Sequence, residues 1–94
     1  MNLQERFDKI KRDTIQVRNL WRGLSPRPDP FRCPILDSLI VEDNKIYGNT
    51  LINIFQKVCI ENGYSIDNKF SAVAVSDEEF DRIFDLVEKQ VKNV

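Results

Sequence analysis

The sequence from Tyr47 to Gly63 reads Y-G-N-T-L-I-N-I-F-Q-K-V-C-I-E-N-G. At about 3.6 residues per turn, a helix that begins after Gly48 gathers its apolar residues on one broad face. These residues are Leu51, Ile52, Ile54, Phe55, Val58 and Cys59. Asn49 or Thr50 can cap the first turn, and Asn62-Gly63 can adopt the left-handed conformation beyond the last turn. The width of the face predicts a central helix that packs against more than one neighbour.

A second helix is predicted at the beginning of the chain. From Leu3 to Leu24, apolar or near-apolar residues recur at alternating spacings of four and three. They are Leu3, Phe7, Ile10, Thr14, Val17, Trp21 and Leu24. This heptad seam fits a helix that lies along one other helix, within the fold or across a dimer. A helix that simply covers the domain core would show the same pattern.

Residues 25–34 follow this helix and contain prolines at positions 26, 28, 30 and 34. Each proline removes an amide donor and pushes the preceding residue towards extended geometry. The segment is therefore predicted to be a stiff connector between an amphipathic helix at 1–24 and a compact core at 35–94. Docking of this proline-rich segment into an aromatic groove of a partner is the alternative.

Two strand pairs are predicted on either side of the central helix. Ser38–Val41 and Lys45–Tyr47 bracket a polar turn at 42–44, although Pro34 could instead open a short helix through Ile35, Leu36, Leu39 and Ile40. After the central helix, residues 64–66 and 70–75 flank a second polar turn at 67–69. Both pairs read as hairpins of a small antiparallel sheet.

The last helix has the clearest boundary in the sequence. Ser76 and Glu79 form a capping box, and Val75 can pack on Phe80 as a hydrophobic staple. A helix from Asp77 to about Lys92 follows, with its buried stripe formed by Phe80, Ile83, Phe84, Val87 and Val91. The predicted fold is one α+β domain ordered helix, hairpin, helix, hairpin, helix, with helices covering the sheet.

Charge is distributed unevenly along the chain. Residues 1–32 contain eight Lys/Arg and four Asp/Glu, whereas residues 33–94 contain six and eleven, which gives about +4 and −5. A basic flank on the first helix, formed by Lys11, Arg18 and Arg22, matches an acidic flank on the last helix, formed by Asp77, Asp81, Asp85 and Glu88. Pairing of the two flanks would explain the asymmetry, and a basic surface kept for an acidic partner is the alternative.

The sequence lacks the residue types that several kinds of catalytic and metal-binding site require. The 94 residues include no histidine and two cysteines, Cys33 and Cys59, so imidazole bases, histidine metal sites and disulfide scaffolds are not expected. Neither a signal peptide nor an apolar run of the ~20 residues of a membrane span is recognisable. We therefore expect a cytoplasmic, non-enzymatic protein without metal or cofactor.

The sequence favours a protein-binding module that docks through its first helix onto another protein or a second copy. The candidate partner-binding residues are Phe7, Ile10, Val17, Trp21 and Leu24. The candidate residues for an anion or acidic partner are Lys11, Arg18, Arg22, Arg27 and Arg32. The same cations leave two alternatives open, nucleic-acid binding and binding of a small anion such as a nucleotide.

Overall fold

The computed structural model describes residues 1–26, 35–64 and 70–94, and at 35–37 the backbone alone. Within these ranges the chain forms four helices, namely α1 (Leu3–Arg22), α2 (Ile35–Tyr47), α3 (Thr50–Glu61) and α4 (Asp77–Lys92). None of these residues lies in a strand. The architecture is helical, and the predicted α+β class with an antiparallel sheet is wrong.

The first predicted hairpin is replaced by helix α2, which runs through the expected turn at 42–44. Within α2, Ile40 is buried in the core. Asp43, expected at a turn, instead pairs with Arg6 of α1. The alternative helix that begins after Pro34 was therefore the better interpretation, although α2 is longer than it proposed.

The second predicted hairpin also fails where the structure describes it. Ser71, Ala72 and Val73 are buried in succession, whereas a strand would alternate its two faces. The amides of Ala74 and Val75 both donate to the carbonyl of Ser71, which makes a turn. The other half of this hairpin, at 65–69, lies outside the described residues.

The helices are arranged in a ring in which α1 packs against α2 and α4, and α3 packs against α2 and α4. Helices α1 and α4 are antiparallel, because Gln4 contacts Glu88 at one end and Arg18 contacts Asp77 at the other. The start of α1 lies beside the C-terminal part of α2, where Arg6 meets Asp43. With 20 residues against 13, α1 is about 10 Å longer than α2.

Four phenylalanine rings form the centre of the core. Phe55 of α3 lies 6.2 Å from Phe7 of α1 and 5.4 Å from Phe84 of α4, measured between ring centroids. Phe80 stacks on Phe84 at 4.3 Å. Leu51, Val58, Ile83, Val87 and Val91 surround these rings. The core therefore joins α1, α3 and α4 directly, and Ile40 adds α2.

The predictions of α1, α3 and α4 are confirmed. Ser76 accepts a hydrogen bond from the Glu79 amide at 3.2 Å, which is half of the predicted capping box. Gly63 has a φ of +90°, as expected beyond the end of α3. Asn49 is the N-cap of α3, but its side chain makes no capping hydrogen bond.

Candidate functional site

The heptad seam of α1 divides into two halves with different environments. Phe7, Ile10 and Thr14 are buried between α1 and the other helices. Phe7 and Ile10, predicted to bind a partner, belong to the core of the chain itself and are inaccessible in this fold. The first half of the seam thus follows the core-covering alternative.

The second half of the seam is less buried than the first. Leu20 and Leu24 are 71% and 51% exposed, and Val17 and Trp21 are half-buried. We call these four residues the C-terminal face of α1. Val17, Leu20 and Trp21 follow the spacing i, i+3 and i+4 on one side of α1, and Leu24 comes directly after the C-cap residue Gly23. Leu20 was not among the predicted partner-binding residues. Its spacing of three from Val17 and four from Leu24 is the sequence signal that could have identified it.

The C-terminal face carries no charged side chain. Two cations, Arg18 and Arg22, lie in this part of α1, and both are directed away from the face towards Asp77 at the start of α4. They donate to the same carboxylate oxygen, Oδ1 of Asp77, each at 2.6 Å. The predicted pairing of the basic and acidic flanks is confirmed for these two arginines.

Arg18 is the buried member of this cluster, with 3% of its surface exposed. Its guanidinium also donates to the backbone carbonyls of Ala72 and Val75. The donors of Arg18 are therefore engaged within the chain, and Arg18 ties the segment before α4 to α1. Hydrogen bonds from Arg22 and then Arg18 hold the pKa of Asp77 below its ordinary value.

The other predicted anion-binding residues do not join this cluster. Lys11 makes no ion pair within the described parts of the chain and lines a shallow cleft of about 290 Å³ on the outside of α1. Asp8, Arg12, Ile15 and Gln16 complete this cleft, so a carboxylate lies among its cations. Arg27 and Arg32 lie outside the described residues.

Two further polar contacts link different parts of the bundle. Arg6 and Asp43 form a double hydrogen bond of 2.7 and 3.0 Å, with each side chain 9% exposed, and this bond raises the pKa of Arg6. Tyr64 donates to Glu79, and burial together with this bond raises the pKa of Tyr64 to about 12. Sequence reasoning missed both pairs, because their members are 37 and 15 residues apart.

Comparison of the chain with protein-family models, curated proteins and solved structures gives no match. Among the helices of the described residues, none is long and apolar enough to cross a membrane. In the same part of the chain, no group of three Cys, Asp or Glu side chains is placed to hold a metal ion. The exposure of Leu20 and Leu24 makes the C-terminal face of α1 the candidate site, and its chemistry is apolar contact.

Proposed function

We propose that this chain is a non-enzymatic protein-docking module of the cytoplasm that binds its partner through the C-terminal face of α1. The observation that carries the proposal is the exposure of Leu20 in the last turn of α1 and of Leu24 just beyond it, whereas the apolar seam residues Phe7 and Ile10 are buried. The cytoplasm is proposed because two cysteines are too few for a disulfide scaffold.

Burial of this face would supply the binding energy. Complete burial of a leucine side chain contributes about 1.5 to 3 kcal/mol, so two leucines that are more than half exposed form a small but useful anchor. Val17 and Trp21 widen the anchor, and aromatic residues are common at the centres of interfaces.

The polar contacts support protein docking over the two alternatives. Arg18 and Arg22 are the cations closest to Trp21 in the sequence, and both are hydrogen-bonded to Asp77. A phosphate at this position would compete with a carboxylate already in place. Nucleic-acid binding of any strength should weaken steeply with salt, so an absent gel shift at ~50 mM salt would retire that alternative.

Photo-crosslinking tests the proposal. A photoreactive phenylalanine analogue is introduced at Leu20, and in a matched control at Ile60, which is 68% exposed on α3 and off the face. In cells that express the chain, the Leu20 variant should give one discrete protein adduct that Leu24→Glu suppresses. The Ile60 variant should not give this adduct. Equal adduct patterns at both positions, or none at Leu20, would contradict the proposal.

A further inference from the structure

We draw no further inference here: the strongest candidate, the side-chain cluster at the N-terminal end of α4 in which Arg18 and Arg22 converge on Asp77, consists of groups already hydrogen-bonded within the chain, and nothing else in the described residues points to a ligand at this helix end.

Discussion

The guanidinium of Arg18 lies over the ring of Phe80, with 4.4 Å between Cζ and the ring centroid. The same guanidinium donates hydrogen bonds to the carbonyls of Ala72 and Val75 and to the carboxylate of Asp77. One side chain of α1 therefore contacts the core, the preceding segment and the first turn of α4. This arrangement makes Arg18 a structural residue of the bundle.

Arg18→Met should lower the free energy of unfolding by about 3 kcal/mol. The change leaves two backbone carbonyls without their donor, at ~1 to 3 kcal/mol for each buried group, and removes a cation–π contact. Urea unfolding followed by circular dichroism measures the loss. Arg12→Met, at an exposed position of the same helix, is the control and should stay within ~0.5 kcal/mol of wild type. Equal stability of the two variants would contradict the role of Arg18.

Asp77→Asn should make the protein less stable than wild type at pH 7, and this difference in stability should disappear in acid. Arg22 and Arg18 lower the folded-state pKa of Asp77, so the unfolded chain takes up the proton first, near the ordinary value of ~3.9. The contribution is complete above about pH 5 and is lost as pH falls through the folded pKa. Unfolding curves of wild type and variant should therefore converge at low pH.

Asp81→Asn is the matched control for this pH dependence. Asp81 is also exposed on α4, and within the described residues it makes no ion pair. Its replacement should leave the acid profile close to that of wild type. A gap between wild type and Asp77→Asn that stays constant from pH 7 to pH 2 would rule out the pairing with the arginines.

The Arg6–Asp43 pair should show strong coupling in a double-mutant cycle. Arg6→Met alone leaves the buried carboxylate of Asp43 without its partner, and such losses cost about 3 to 5 kcal/mol. Arg6→Met combined with Asp43→Leu removes both charges and should be less destabilised than Arg6→Met. Thermal and urea unfolding of the four proteins give the coupling energy. Additive effects of the two changes would show that the pair is not coupled.

Phe55→Ala should reduce stability by roughly 3 to 5 kcal/mol, which is enough to unfold a domain of this size. Phe55 is buried and its ring contacts the rings of Phe7 and Phe84, so its loss opens a cavity between three helices. Gln56→Ala, at the exposed neighbouring position, should have little effect. A loss below about 1 kcal/mol for Phe55→Ala would show that the cavity is refilled by its neighbours.

The helices that could be predicted from sequence are those with a strong local signal. The bounds of α4 follow from Ser76 and the acidic first turn, and α3 follows from its apolar period and Gly63. Helix α2 was mistaken for a hairpin because Glu42-Asp43-Asn44 resembles a turn when read locally. In the fold Asp43 pairs with Arg6, which lies 37 residues earlier in the chain, and a local reading of the sequence cannot show that contact.

The candidate site could be predicted only in part from the sequence, for a similar reason. A heptad pattern identifies the apolar side of α1, but it does not show which residues on that side are buried by other helices. Phe7 and Leu24 therefore looked equivalent in sequence. In the fold Phe7 is buried in the core, whereas Leu24 follows the C-cap of α1 and is 51% exposed. Likewise, Arg18 read as an exposed cation on a basic flank, and its burial depends on carbonyls of residues 72 and 75, far along the chain.

The pairing of the first helix with the last has a consequence for biosynthesis. Arg18 and its partner Asp77 are 59 residues apart, so α1 leaves the ribosome long before α4 exists. At 5 to 20 residues per second, the 54 residues from Gly23 to Ser76 take roughly 3 to 11 seconds to translate. Throughout this interval Phe7 and Ile10 have no α4 to cover them. The nascent chain is thus the stage at which the whole seam of α1 is open to a chaperone.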